Sequence, residues 1–442
     1  VPVQARRIAA GAEGDEVKSM GGSMDGRAPR KVIVAGGGIP GLSLALALRQ
    51  AHGESLDVAV FDPGLDRAAL RHRGRAFAVA AGGRRMLTRL GVWDDIAHAA
   101  EPILDMAISD SRLTDPVRPI FLTFGGHGAD DVAEAGEPFA HMVEAEFLVE
   151  SLLSASRACG VVLEPVGIRH AQARGSGIAV ALSDGREAVA SLLVAADGSR
   201  SRLREAAGIG WVGRSYPQMG IVATIGHERP HGGRAFEHFL PSGPFAILPL
   251  VDGGALGHRS SIVWTERTSD VEALIGGSRE ETLAEIERRF GLNLGRLVLE
   301  DGPSAHPLSL GMARSFRGER LALLGDAAHV IHPIAGQGLN LGLADAASLA
   351  EEITEALRLG LDPGAKDVLQ RYERSRRFDT FAMAAATDGL NRLFSNDVLP
   401  VRLVRDLGLG LVDRLPGLKS LFIGEASASR AASPRLLRGE AL

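Results

Sequence analysis

The sequence predicts an α/β protein: a Rossmann-like nucleotide-binding domain assembled from separated segments, an antiparallel-sheet domain inserted into it, and helices at the C-terminal end. Three observations predict this. A β-α-β unit of compact length near the start carries a Gly-rich turn. Two later apolar runs end beside an Asp-Gly or Gly-Asp pair, as buried strands feeding polar turns do. Between Gly220 and Glu266 the pattern changes to short strands separated by Gly and Pro.

The elements follow in order. KVIVA (Lys31 to Ala35) is an apolar strand, GGGIPG a turn and LSLALALRQA an apolar helix, and VAVFD (Val58 to Asp62) is the second strand. RRMLTRLGVWDDIAHA and FLVESLLSASRACG carry apolar residues at helical spacing. GIAVALSDGREAVASLLVAADG predicts a hairpin turning at Asp184-Gly185 and then a buried strand ending at Asp197. IVATIGH, AFEHFL, FAILPL and SIVWTE are strands of an antiparallel sheet, followed by the helical ETLAEIERRF. LALLG is another strand, and a long helix opens after Gly338. From Asp388 onward the chain reads as amphipathic helix, with Leu, Val and Phe between Arg402, Arg405, Arg414 and Lys419.

Composition narrows the class. Hydrophobic residues make up 45% and charged residues 23%, as in a soluble globular protein. A formal net charge of -5 gives no broad attraction to nucleic acid. Cys159 is the single cysteine, which excludes an intrachain disulfide framework or a cysteine zinc site and fits a reducing, cytoplasmic location. No metal site is expected. No apolar stretch is long and charge-free enough to span a bilayer. The polar, Gly-rich residues 1–29 read as a disordered extension, with Met20 and Met24 as alternative starts.

Each turn implies chemistry. In Gly36-x-Gly38-x-x-Gly41, the first glycine allows the tight exit from the strand. The second lets backbone approach a pyrophosphate, and the third lets helix and sheet pack closely. Asp62 ends the next strand, where an acid accepts ribose hydroxyls. Asp197 and Gly198 form a second turn, read either as a ligand site or as a helix cap. In the third, Gly325 precedes Asp326, which can accept a ribitol or ribose hydroxyl. Gly336, Gln337 and Gly338 then open a helix whose N–H groups can stabilise negative charge. His329 and His332 could relay a proton or serve as structural hydrogen-bonders. Cys159 reads as an inert thiol, and Trp264 and Phe245 either line a ring pocket or pack a core.

These three turns, in this order, resemble the flavin-dependent aromatic hydroxylases of the 4-hydroxybenzoate hydroxylase fold. The run His332-Pro333-x-x-Gly336-Gln337-Gly338-x-Asn340-x-Gly342-x-x-Asp345 resembles more narrowly the signature of the ubiquinone-biosynthesis hydroxylases. GPFAILPL, SIVWTE and TDGLNRLFSND are similar to that family as well, and the resemblance covers nearly all of the chain beyond Arg30.

The resemblance implies an FAD-dependent monooxygenase that hydroxylates a polyprenylated phenol in ubiquinone biosynthesis. NAD(P)H would reduce the FAD, and oxygen would be delivered through a flavin C4a-hydroperoxide. It implies a discontinuous FAD-binding domain (30–106, 139–206 and 305–386), a substrate domain (107–138 and 207–304) and a C-terminal helical region (387–442). Gly36, Gly38, Gly41, Asp62, Arg75, Gly325 and Asp326 would hold FAD, while Asp197 and Gly198 would serve both FAD and a transient NAD(P)H. Pro333, Gly336, Gln337, Gly338, Leu339 and Asn340 would face the isoalloxazine, with His332 beside them among the catalytic candidates. Arg75 carries a surface-charge alternative. Ala145, Glu146 and the turn GGALGH (Gly253 to His258) depart from the family pattern.

Peripheral contact with the inner membrane through the amphipathic C-terminal region is one expectation; a packing face in a dimer or between domains is its alternative. A ubiquinone-biosynthesis complex or a homo-oligomer is a further expectation, and no nucleic-acid partner is expected. Two other functions stand beside the first: hydroxylation of a small soluble aromatic acid, and a non-catalytic flavin-binding assembly protein.

Overall fold

A computed structural model describes residues 30–67, 74–110, 113, 120–125, 138, 140–333, 336–394 and 433–442. Its first layer is a six-stranded sheet in the order Arg317–Gly318, Leu321–Leu323, Leu192–Ala195, Lys31–Ala35, Asp57–Phe61, Val162–Glu164. Every pairing but that of the first two strands is parallel. Val32, Ile33 and Val34 are fully buried, as a strand covered on both faces requires. The helix Ile39–His52 is apolar around most of its girth and is buried from Gly41 to Leu48. It packs between the helices Ala145–Ala158 and Gln337–Arg358.

The hairpin at Asp184-Gly185 forms as expected, with Gly185 at φ +92° and the Asp184 carboxylate accepting the Arg186 N–H. The run beginning RRMLTRL splits into Ala81–Arg89 and a short turn Trp93–Ile96, broken at Gly91 with φ +72°. The strand Ala76–Ala80, not foreseen from sequence, pairs antiparallel with Ala140–Glu144.

The second large layer is an eight-stranded sheet in the order His329–Val330, Leu297–Ala313, Trp211–His227, His258–Arg267, Gly243–Leu250, Arg234–Leu240, Asp105–Asp110, Ile120–Gly125. The four strands read between Gly220 and Glu266 are its centre. Leu297–Ala313 was not read as a strand because Gly302, Pro303, Pro307 and Gly311 punctuate it. It runs unbroken across the expected division between 304 and 305.

Alternation assigns the two faces of this sheet. Ile221, Ile225, Phe245, Ile247, Ile262 and Trp264 form one core with Ile286 and Phe290 of the helix Arg279–Phe290. Trp264 and Phe245 meet edge to face at 5.9 Å in that core. Of their two sequence readings, the structure therefore gives core packing. The opposite face, with Val222, Ala246, Leu248 and Val263, looks toward the parallel-sheet layer.

Residues 387–394 finish the long helix Lys366–Phe394. It ties the layers together: Tyr372 donates to the Leu323 carbonyl at 2.7 Å, and Asn391 donates to Gln218 at 3.0 Å. Arg402, Arg405, Arg414 and Lys419 lie outside the described residues, so the reading of that stretch as amphipathic helix is not addressed. The last residues return to the fold, where Leu436 and Leu437 are buried and Arg85 donates to the Leu437 carbonyl. Glu144, Arg259 and Glu300 form a chain of ion pairs at 3.0 and 3.1 Å. Glu300 also accepts the Ala255 N–H, which anchors the turn GGALGH.

Asp345 is fully buried and joins three elements. Its carboxylate pairs with His329 at 2.6 Å and Arg376 at 2.9 Å, and accepts the Gly325 N–H at 3.2 Å. Burial alone would raise this carboxyl; His329 and Arg376 together outweigh burial and hold it below its ordinary value of 3.8. Asp345→Asn would leave the buried Arg376 with the exposed Asp379 as its remaining ion pair, and it is expected to cost about 3 kcal/mol, read as a lower denaturation midpoint. Because the folded carboxyl is depressed, its stabilisation is present above the unfolded value. It is lost as pH falls through the folded one, so the variant and wild type should converge only in strong acid.

Candidate active site

Gly36 leaves its strand at φ +120°, and a Cβ there would lie 2.1 Å from the Ala196 carbonyl oxygen. The first and middle turns are thus packed backbone to backbone, which only glycine permits. At Gly41 a Cβ would meet the Gly36 carbonyl oxygen at 2.3 Å, whereas at Gly38 it would meet nothing within 4 Å. The spacing therefore separates two packing glycines from one that faces open space. Gly38 also starts a helix with no side-chain cap and no acid in its first turn. Its N–H groups suit an anion. Asp62 accepts the N–H of Gly37 at 2.9 Å and of Gly64 at 2.7 Å, so this acid also knits the first turn.

In the middle turn Asp197 is exposed and accepts the Leu203 N–H at 3.3 Å, while Ser201 caps Arg204 at 3.0 Å. Of its two sequence readings, the geometry shows the helix-start role, and it leaves the carboxylate accessible. Gly198 beside it sits at φ +85°. Arg204, not singled out from sequence, is buried and donates to the carbonyls of Ser199 and Ala327. It stitches the middle turn to the third.

Gly325 takes φ +57° and is fixed by Asp345. Asp326 beside it opens to solvent in a recess walled by protein; that burial raises its carboxyl, against the pull of His329 and Arg75. His329 is spent on Asp345, its structural reading. The helix Gln337–Arg358 starts from Gly336 at φ +63°, again without side-chain cap or first-turn acid, and a Cβ on Gly338 would meet nothing within 4 Å. Asn340 lines the cavity below, but its amide clamps the strand beside it, accepting the Ala80 N–H and donating to the Ala78 carbonyl.

Between this turn, the strand Ala76–Ala80 and the open face of the large sheet lies a cavity of about 310 Å³. Pro333, Gly336, Gln337, Gly338, Leu339 and Arg75 line it on the turn side. His332 does not line it. Its ring is buried edge-on against Tyr216 at 5.1 Å, and burial pushes the imidazole down to about 4 despite the nearby Asp388. Arg75 reaches His306 at 3.4 Å, and burial, then Arg75, lowers that imidazole. Sequence reasoning missed Glu237, which lines the cavity from the sheet. The signal was an acid inside the largely apolar strand AFEHFL.

Three polar turns converging on two uncapped helix starts, beside an apolar cavity, define an FAD-binding monooxygenase. Residues 30–387 match the FAD binding domain family, to which the chain belongs. More narrowly, the chain belongs to the FAD-dependent hydroxylases of ubiquinone biosynthesis. It is 43% identical to ubiquinone hydroxylase UbiL of Rhodospirillum rubrum over 98% of both chains. It is 32% identical to the 3-demethoxyubiquinol 3-hydroxylase of Escherichia coli, over 88% of this chain and 96% of that one. Among solved structures, PqsL of Pseudomonas aeruginosa shares the fold with a TM-score of 0.69 at 21% identity, over 87% of this chain and 99% of that one. The p-nitrophenol 4-monooxygenase of Pseudomonas putida shares it at 0.68 and 18%, over 89% and 96%. FAD is the cofactor and NAD(P)H its reductant.

Burial alone pushes the Glu237 carboxyl up to about 7. The folded chain thus holds a proton that the unfolded chain releases near 4.5, so this residue withdraws stability as pH rises from there toward 7. Glu237→Gln should therefore gain stability over wild type across that window, by on the order of 3 kcal/mol at its upper end. Thermal midpoints measured at pH 5 and pH 8 would show the gap widen; an unchanged gap would refute the raised carboxyl.

Proposed function

We propose that this protein hydroxylates the aromatic ring of a polyprenylated phenol in ubiquinone biosynthesis, within a discontinuous FAD-binding domain and an inserted substrate sheet. The observation that carries the reading is the cavity wall. The open sheet face supplies mostly apolar side chains together with Thr265, His306 and one acid, Glu237, while Arg75 stands on the turn side and engages His306. His306 on that face is held by Arg75 and its imidazole is lowered by burial, so a small aromatic carboxylate would gain little there and would meet a buried acid. A neutral, tail-bearing phenol buries apolar surface against Met106, Leu248 and Leu308 without that cost.

The residues present fit FAD. Open space outside Gly38 and an uncapped helix start would admit its pyrophosphate, with Gly36 and Gly41 holding strand, turn and helix close enough. Asp62 and Asp326 would accept hydroxyls, and Arg75, Asp197, Gly198 and Gly325 would complete the cradle. Pro333, Gly336, Gln337, Gly338 and Leu339 would wall the isoalloxazine, with Asn340 fixing that wall to the strand beside it. The N–H groups after Gly336 would stabilise negative charge there. When bound and reduced by NAD(P)H, FAD activates oxygen, placing one atom on an electron-rich ring and releasing the other as water. The apolar walls keep bulk water from that chemistry. No helix among the described residues is long and apolar enough to cross a membrane. Delivery of a long-tailed substrate would then use peripheral contact with the inner membrane, with the segment carrying Arg402, Arg405, Arg414 and Lys419 as the contact.

Two outcomes test this. Gly38→Asp adds no clash, so the chain should fold, yet its carboxylate would repel the pyrophosphate; purified protein should keep its helical circular dichroism and lose bound FAD. Deleting the gene should eliminate ubiquinone and accumulate a prenylated phenol lacking one hydroxyl, seen by mass spectrometry of quinone lipids. Unchanged lipids, with turnover of a soluble aromatic acid by the purified enzyme, would overturn the substrate assignment.

A further inference from the structure

Glu237 is the costliest side chain in the cavity. It is 6% exposed, and among the described residues no hydrogen bond or ion pair reaches its carboxyl. The strand Arg234–Leu240 sets it between Ala246 on one neighbour and Ile108 on the other, neither of which offers a side-chain donor. His238, next in sequence, points to the other face and bonds Ser109 at 2.7 Å. Arg75 and His306 are the other charged or titratable side chains on the cavity wall, and they engage each other.

A buried acid with no partner costs stability, and nothing among the described residues repays it. A ligand repays it by bringing one hydrogen-bond donor on an apolar body without negative charge. A phenol O–H is such a donor.

We infer that Glu237 binds the ring hydroxyl of the substrate and acts as its base. This rests on the phenolic substrate proposed above. The phenol O–H bond breaks, its electron pair stays on oxygen, and the proton forms an O–H bond on the Glu237 carboxylate. The ring becomes a better nucleophile toward the incoming oxygen atom. The new C–O bond forms as the O–O bond of the activated oxygen breaks. The ring C–H bond at that carbon then breaks, its proton leaving with the second oxygen atom as water. Glu237 returns its own proton to the ring oxygen, so the residue ends unchanged and no oxidant beyond oxygen enters. Its carboxyl, raised to about 7 by burial, exchanges protons near neutral pH, where a general base works best.

The test uses FAD-loaded wild type, Glu237→Gln, Glu237→Asp and Glu237→Leu, with a geranyl-substituted phenol and its methyl ether as probes. Glu237→Gln should bind FAD as wild type does, while hydroxylation falls about 100-fold and NAD(P)H oxidation yields hydrogen peroxide instead of product. The limb of kcat/KM that rises through pH 7 in wild type should vanish in the Gln variant and return in part in the Asp variant. Titrated by the change in flavin absorbance, wild type should prefer the phenol over its methyl ether, and Glu237→Leu, which has no acceptor, should not. Equal coupling and pH profile in wild type and Glu237→Gln, with equal preference in wild type and Glu237→Leu, would overturn the inference while leaving the substrate reading standing. A wild type that holds FAD yet hydroxylates no prenylated phenol would overturn both. If the Gln variant fails to fold, the Asp variant carries the same comparison: full activity with an unshifted profile overturns the inference, and a partial loss with a shifted profile supports it.

Discussion

A carboxylate with no access to water organises this fold. Asp345 sits on the helix Gln337–Arg358 and holds His329 after one strand, the Gly325 N–H in the turn before it, and Arg376 on the next helix. Taking these charges out of water costs several kcal/mol per ion, and only their mutual geometry offsets it. Such a cluster is poor value as stability alone, but it tolerates few arrangements. It fixes the third turn against the helix start at Gly336, and so fixes Asp326 at the recess and Gly338 at the cavity.

The other two turns are held by different means to the same end. Gly36 and the Ala196 carbonyl touch where a methyl group could not fit, and Arg204 bridges Ser199 and Ala327 from beneath. Pro40 lies so close to Gly342 that a Cβ there would meet its ring at 2.8 Å, locking the first helix to the last long one of the site. The two uncapped helix starts thereby keep a fixed relation. Each contributes roughly half a positive charge at its N-terminus. Such a pair would suit a cofactor that is anionic at its pyrophosphate and gains negative charge on reduction.

The large sheet supplies the other half of the site by alternation. Many residues facing the helix Arg279–Phe290 are large and form a core, whereas the centre of the face toward the cavity carries small or mid-sized ones: Gly220, Val222, Ala246, Val263. Small side chains leave the volume a ring occupies. In that dry space a single carboxylate exerts more influence than it would in water, both as a cost and as a chemical group.

The sequence by itself determined the turns. Gly36, Gly38, Gly41, Asp62, Gly325 and Asp326 were legible because a backbone turn toward an anion demands particular residues at fixed local spacing, and local spacing is what a sequence displays. The strands from Gly220 to Glu266 and the hairpin at Asp184-Gly185 were legible for the same reason. Leu297–Ala313 was not, since its Gly and Pro residues signal breaks that only pairing along Trp211–His227 overrides. Tertiary structure alone decided which way side chains point. His332 turns to Tyr216, Trp264 to the core, and the Asn340 amide to a strand 260 residues earlier in the chain. Glu237 turns into the cavity because its strand's register against Ala246 puts it there, and register is fixed by partners far away in the chain.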